Sequence, residues 1–259
     1  MKVVILAGGL GTRISEESHL KPKPMIEIGG KPILWHIMKI YASYGYNEFV
    51  ICAGYRQDVI KGYFANYYTY NSDVTFDLSN NSLTVHSSHT DNWKVSVVDT
   101  GYLTMTGGRV KRIRDYVGGE TFFLTYGDAV ADIDLPALLK FHKESGKILT
   151  ITAANIAQMK GVLNLAADGQ VESFREKEDE DSMLINGGFM VAEPEIFDYL
   201  AGDETVFEKE PMQRLAAEGQ MMAYLHEGFW QCMDTQREMK KLEDLWATGN
   251  APWKIWENR

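Results

Sequence analysis

Val3–Ala7 is a run of five apolar residues, Val-Val-Ile-Leu-Ala, that ends at Gly8-Gly9. A membrane helix takes about 20 apolar residues, so this run is far too short to span a bilayer. It also lacks the polar alternation of a strand with one wet face. What it fits is a central strand of a parallel sheet, covered on both sides. Parallel strands need crossover helices, and the following residues supply one. Ile33, Leu34, Ile37, Met38, Tyr41 and Tyr44 recur at helical spacing after Pro32 and stop at Gly45. Phe49–Ala53 then reads as a second buried strand and Val59–Tyr67 as a second helix. Strand, helix, strand, helix predicts an α/β fold with right-handed crossovers.

Between Ser72 and Asp99 short alternating runs flank Asn80-Asn81, which predicts a small antiparallel insertion. Phe122–Thr125 resumes the buried-strand pattern and leads into Tyr126-Gly127-Asp128. A helix over Leu135–Glu144 and a strand over Ile148–Ala154 follow. Val162–Val191 reads as antiparallel strands around an acidic loop, and the last segment as helix, short strand and a closing helix near Gln236–Thr248. No repeat or Pro/Ser-rich linker divides the 259 residues, so a single domain over 1–259 is expected. A chain this long buries enough surface to need no disulfide or metal staple. Asp and Glu number 36 against 26 Lys and Arg, and a net charge of −10 argues against nucleic-acid binding. Cys52 and Cys232 have no ligand spacing and read as packed thiols of a reducing compartment. With no signal peptide or membrane helix in the sequence, a cytoplasmic protein without a membrane partner is expected.

The glycine-rich turn after the first strand carries the chemistry. Glycines there let a ligand approach the backbone closely, and the exposed N–H groups form an anion-binding concavity. A dinucleotide fingerprint fails because its third glycine falls on Ile14, and a P-loop fails because Gly30-Lys31 is followed by Pro32. There remains a turn, Gly8-Gly9-Leu10-Gly11-Thr12-Arg13, with Lys23 ten residues on. A forked guanidinium and a compact ammonium both suit phosphate oxygens.

Gly8–Arg13 followed by Lys-Pro-Lys-Pro-Met-Ile-Glu-Ile over 21–28 resembles the signature of the sugar-1-phosphate nucleotidyltransferases. Gly29–Met38, Asp99-Thr100-Gly101, Met105–Arg109 and Trp253-Lys254 extend the resemblance toward the branch that uses CTP with α-D-glucose 1-phosphate. The resemblance implies a Rossmann-like mixed sheet with a nucleotide-binding part over about 1–130. A sugar-binding and C-terminal part would follow over about 131–259. It implies CTP and a sugar 1-phosphate as substrates, and CDP-glucose for the sugars of bacterial surface polysaccharide, such as the O-antigen of lipopolysaccharide. It also implies a homo-oligomer, with six as the expected number.

Site residues follow from the same match. Leu6, Ala7, Gly8, Gly9, Leu10, Gly11, Thr12, Arg13, Lys23, Thr104 and Arg109 are expected at the nucleotide. Arg13, Lys23 and Asp128 are expected to be catalytic. Asp128 sits at a strand's C-terminal end, where open α/β sheets bind ligands, and with Asp234 it matches the family's two Mg²⁺ aspartates. Glu176, Lys177, Asn186, Gly187 and Gly188, with Asp128, are expected at the sugar. Residue by residue, other readings stand beside these. Asp234 before Thr235 could cap a helix, Arg109 could lie on a solvated helix face, and Asp132 and Asp134 read as helix-start residues. The sequence departs from the family pattern at Ala129, Met159-Lys160-Gly161, Glu178 and Cys232, mostly on the sugar side. A different phosphorylated acceptor, TTP or UTP as donor, or a non-catalytic binding protein on this scaffold are the alternatives.

Overall fold

The computed structural model describes residues 1–10, 21–156, 162–165, 171–175 and 183–257. Sixteen strands are formed among them. In chain order they are β1 (Val3–Leu6), β2 (Glu27–Ile28), β3 (Lys31–Pro32), β4 (Glu48–Ala53), β5 (Ser72–Asp77), β6 (Ser82–Ser88), β7 (Lys94–Asp99) and β8 (Phe122–Tyr126). The second half adds β9 (Ala129–Ala131), β10 (Leu149–Ile156), β11 (Val162–Leu165), β12 (Val171–Arg175), β13 (Met183–Asn186), β14 (Met190–Ala192), β15 (Met221–His226) and β16 (Trp230–Cys232). The helices are α1 (Ile33–Ala42), α2 (Gln57–Tyr70), α3 (Thr106–Arg112), α4 (Arg114–Val117), α5 (Leu135–Ser145), α6 (Glu210–Ala217) and α7 (Gln236–Ala247).

Eight strands make the main sheet, in the order β13-β10-β14-β8-β1-β4-β7, with β15 also paired to β10. β1 runs parallel to β4 on one side and β8 on the other. The chain thus leaves β1 toward one edge and later returns to its opposite side, and the crevice at such a switch point is where α/β sheets take ligands. β14 joins β8 and β10 antiparallel, which makes the sheet mixed. Every residue of β1 is buried. Its side chains alternate between the two faces, Val3 and Ile5 into one core and Val4 and Leu6 into the other.

The first core holds α1, which is buried along most of its length. The chain's last segment closes over it. Trp253 is 1% exposed and its Nε1 donates to His36 Nδ1 at 3.3 Å, while His36 Nε2 donates to the Ile28 carbonyl at 2.8 Å. Gly29 has φ +59°, and a Cβ there would lie 1.9 Å from the Trp246 indole nitrogen, so glycine is required on two counts. The second core takes α3 and α6.

The β5–β6 hairpin turns at Asn80-Asn81 as expected, with Asn81 at φ 55°. Lys94–Asp99 does not belong to that insertion. As β7 it pairs parallel with β4 at the edge of the main sheet, because its alternation reports one exposed face and not which strand is its partner. Cys52 and Cys232 are free thiols. Burial, the leading cause at both, pushes each up to about 12.

Candidate active site

Gly127 follows β8 and donates from its N–H to the Leu6 carbonyl at 3.0 Å, which ties the ends of the two central strands together. The next residue is Asp128. The chain then enters β9, which pairs antiparallel with β16 in a register that sets Ala129 opposite Cys232. Met233 N–H donates to the Asp128 carbonyl at 2.8 Å, so the ladder carries one step past the strands and brings Asp234 beside Asp128.

Asp234 is not the helix cap. Thr235 caps α7 in a reciprocal capping box with Glu238, and Glu238 also accepts from the Asp234 N–H at 2.8 Å. The Asp234 carboxylate meets Lys23 instead. Asp134 is a cap, accepting from Ala137 N–H at 3.0 Å at the start of α5. Asp132 is not a helix-start residue. Its carboxylate lies 3.1 Å from His226 Nε2.

Lys23 enters the same place from a short 3₁₀ turn, Lys23–Met25, that begins after Pro22 and buries Pro24 and Met25. Its ammonium donates to Asp128 Oδ2 at 2.6 Å and also to Asp234 Oδ1. Burial pulls the Lys23 pKa down, but Asp128 and then Asp234 push it up by more, so the group stays charged. Two carboxylates that reach one ammonium are spaced to reach one small divalent cation. Magnesium asks the protein for only one or two carboxylates and takes its other ligands from phosphate and water, so this donor set fits it.

These groups line a cavity of about 410 Å³. Leu6, Ala7, Gly8, Gly9, Lys23, Thr104, Arg109, Asp128 and Asp234 line it, all expected from the sequence. Arg109 is not on a solvated face. It is 4% exposed, and its Nη1 donates to the Thr100 hydroxyl at 2.8 Å and the Gly101 carbonyl at 2.7 Å. A Cβ on Gly8 would lie 2.2 Å from that nitrogen, so the turn sits directly against the guanidinium. Leu10 is exposed and outside the lining. Asn186 joins the cavity through Tyr126, whose hydroxyl accepts from its side-chain amide at 3.2 Å, and Gly188 N–H donates back to Asn186 Oδ1 at 3.1 Å. Gly187 turns its carbonyl to the Trp230 indole at 2.7 Å. Gly11, Thr12, Arg13, Glu176 and Lys177 lie outside the described residues.

Thr106, Tyr126 and Glu208 also line the cavity and were not singled out in the sequence. Tyr126 could have been found as the residue two before Asp128. Glu208 stands in a stretch with several other acidic residues, and no spacing marks it.

Residues 2–235 match the model of the nucleotidyl transferase family. The glucose-1-phosphate cytidylyltransferase of Salmonella typhimurium is 54% identical over 258 residues, covering 99% of this chain and 100% of that protein. A probable glucose-1-phosphate cytidylyltransferase of Bacillus subtilis is 43% identical over 257 residues, covering 99% of this chain and 100% of that one. Among solved structures, HddC from Yersinia pseudotuberculosis superposes with a TM-score of 0.68 at 24% identity, covering 95% of this chain and 99% of that chain. That likeness shows the fold. With the family model spanning most of its length and a relative more than half identical over nearly all of it, the chain belongs to the nucleotidyl transferase family of enzymes.

Proposed function

We propose that this enzyme transfers CMP from CTP to α-D-glucose 1-phosphate, giving CDP-glucose and pyrophosphate. The observation that carries the chemistry is the meeting of Lys23, Asp128 and Asp234 in a cavity that a glycine turn also lines. The names of the two curated relatives supply CTP and glucose 1-phosphate.

A phosphate oxygen of the sugar 1-phosphate attacks the α-phosphorus of CTP in line. The bond from that phosphorus to the bridging oxygen breaks, and pyrophosphate leaves with the electron pair. No protein nucleophile is needed, so catalysis is positioning and electrostatics. The backbone of Leu6–Gly9 receives the nucleotide, with Thr104 and the Arg109 charge beneath the turn. Lys23 passes its ammonium from the aspartates to phosphate oxygens. Arg13 stabilises charge on the transferring group, and Glu176, Lys177, Asn186, Gly187 and Gly188 serve the sugar, as the family resemblance implies. Mg²⁺ held by Asp128 and Asp234 would screen the repulsion between the two phosphorylated substrates. We place the enzyme in the cytoplasm as a homo-oligomer, six subunits being the number the resemblance implies. Exposed Phe76 and Leu78 on the β5–β6 hairpin support an association surface.

The test is pyrophosphate release with Mg²⁺ and glucose 1-phosphate across CTP, UTP, TTP, ATP and GTP. Release with CTP at a kcat/KM at least about 100-fold above the others is expected, the scale of discrimination that base-edge hydrogen bonds provide. Equal release with UTP or TTP overturns the base assignment. No release with CTP, but release when another sugar phosphate is supplied, overturns the acceptor.

A further inference from the structure

Two chemically different groups of side chains line the cavity. One is the Lys23, Asp128 and Asp234 cluster described above. The other is built around a carboxylate to which no role has been given so far, that of Glu208. Its Oε1 accepts from the Tyr126 hydroxyl at 2.8 Å and its Oε2 from the Thr106 hydroxyl at 2.6 Å.

The position of Glu208 is fixed from several directions. Phe207 beside it is fully buried in the second core. The preceding loop lies against the start of α3. Met105 N–H donates to the Asp203 carbonyl and Gly107 N–H to the Thr205 carbonyl, both at 2.8 Å. A Cβ on Gly107 or Gly108 would come within 2.8 Å of this loop's backbone, so two glycines permit the close seat. Arg112 grips Asp203 with two hydrogen bonds, at 2.9 and 2.5 Å. A side chain held in this way is preorganised to recognise something.

What it can recognise follows from the protons. Tyr126 and Thr106 both spend theirs on Glu208. The Tyr126 oxygen in turn accepts from Asn186, and the Thr106 oxygen accepts from Phe207 N–H at 2.9 Å. Burial and then the Glu208 charge raise the Tyr126 pKa, so its phenol keeps its proton and goes on donating. An ionised carboxylate accepts about four hydrogen bonds and only two are used here. The wall therefore offers open acceptor sites on Glu208 and one remaining donor hydrogen on the Asn186 amide. Phosphate is repelled by such a wall. A polyol, whose neighbouring hydroxyls donate and accept in turn, matches it.

We propose that Glu208 directly reads ring hydroxyls of the acceptor sugar and, with Tyr126 and Asn186 held in line, is a specificity-determining residue of this enzyme. The inference rests on the acceptor being a hexose 1-phosphate, as proposed above.

The experiment compares wild type with Glu208→Gln, which keeps shape and removes charge. Binding of glucose 1-phosphate and of its singly deoxygenated analogues is titrated calorimetrically with a non-hydrolysable CTP analogue present. Turnover of CTP with glucose 1-phosphate is measured in parallel. A hydrogen bond to a charged group is worth about 10- to 100-fold in affinity. Glu208→Gln is expected to weaken glucose 1-phosphate by about that factor, with KM for CTP changed less than about 2-fold. One deoxy analogue should bind wild type and variant alike, because it lacks the hydroxyl that Glu208 reads. Equal weakening of every analogue, or a matching rise in KM for CTP, overturns the inference. Glu208→Asp, which keeps the charge but shortens the reach, is a second variant and should show the same selective loss. Wild type that binds glucose 1-phosphate but releases no pyrophosphate would sink the transfer reaction, while the binding comparison still decides the role of Glu208.

Discussion

Asp128 and Asp234 come from distant parts of the chain, and the β9–β16 ribbon sets them side by side to hold one ammonium between them. Neither is replaceable by a neutral amide if its role is to hold a cation. Asp128→Asn is expected to lower kcat/KM by about 10³-fold, the scale of losing one preorganised electrostatic contact. Circular dichroism should stay at the wild-type spectrum. A loss of less than about 10-fold would remove Asp128 from the mechanism. At this scale the glycine turn and Asp128 were legible, because a glycine turn after a buried strand and an Asp after another mark strand ends where ligands bind, whereas Asp234 and Thr104 came from the family resemblance. Arg109 was legible only as a residue near the nucleotide. Its burial against Gly8 depends on how α3 packs across the ends of β1 and β4, which no local spacing records. Glu208 was not legible at all, since its partners Tyr126 and Thr106 lie far away in sequence and meet only in the fold.

Among the elements, α1 shows how a titratable group is kept neutral inside a core. His36 is fully buried, and burial, outweighing its backbone hydrogen bonds, drops its pKa to about 4. Trp246 meets the ring edge-on at 4.7 Å between centroids, and Trp253 donates to its free nitrogen. Between pH 6.5 and about 4 the unfolded chain binds a proton at this position that the folded chain refuses. Stability from this residue is therefore complete above pH 6.5 and falls as pH drops through that window, by about 3 kcal/mol in all. Urea unfolding at pH 7.5, 5.5 and 4.5 should show a shallower decline in His36→Gln than in wild type. Identical declines would show that His36 is not the group responsible. The helical period of α1 was plain in the sequence, but its spacing marked one buried stripe where the structure buries nearly the whole helix. The difference comes from the C-terminal tryptophans, which cover the side that a two-layer α/β sheet would leave wet.

For the whole molecule, the alternation of strands and helices was enough to give a parallel centre, and the antiparallel β13 and β14 are what make the sheet mixed. The sequence also placed β7 wrongly, since alternation identifies a half-covered strand without naming its neighbour. The β5–β6 hairpin stands apart from both cores and exposes Leu78 at 83% and Phe76 at 58%. If it is an association surface, Phe76→Asp with Leu78→Asp should reduce the mass seen by sedimentation equilibrium toward that of one 29.3 kDa subunit. The far-ultraviolet spectrum should not change. An unchanged mass would place the subunit contacts elsewhere.

The β9–β16 ribbon also sets an order of events in the cell. Lys23 meets Asp234 across a separation of 211 residues. At ordinary rates of protein synthesis the ribosome needs roughly 10 to 40 s to travel that distance. Through that interval a growing chain displays its glycine turn and Lys23 without the second carboxylate and without the tryptophans that seal α1. On the roles proposed for Asp128 and Asp234, catalysis begins only after the tail has docked, so the first turnover of each new molecule would report that its fold has closed.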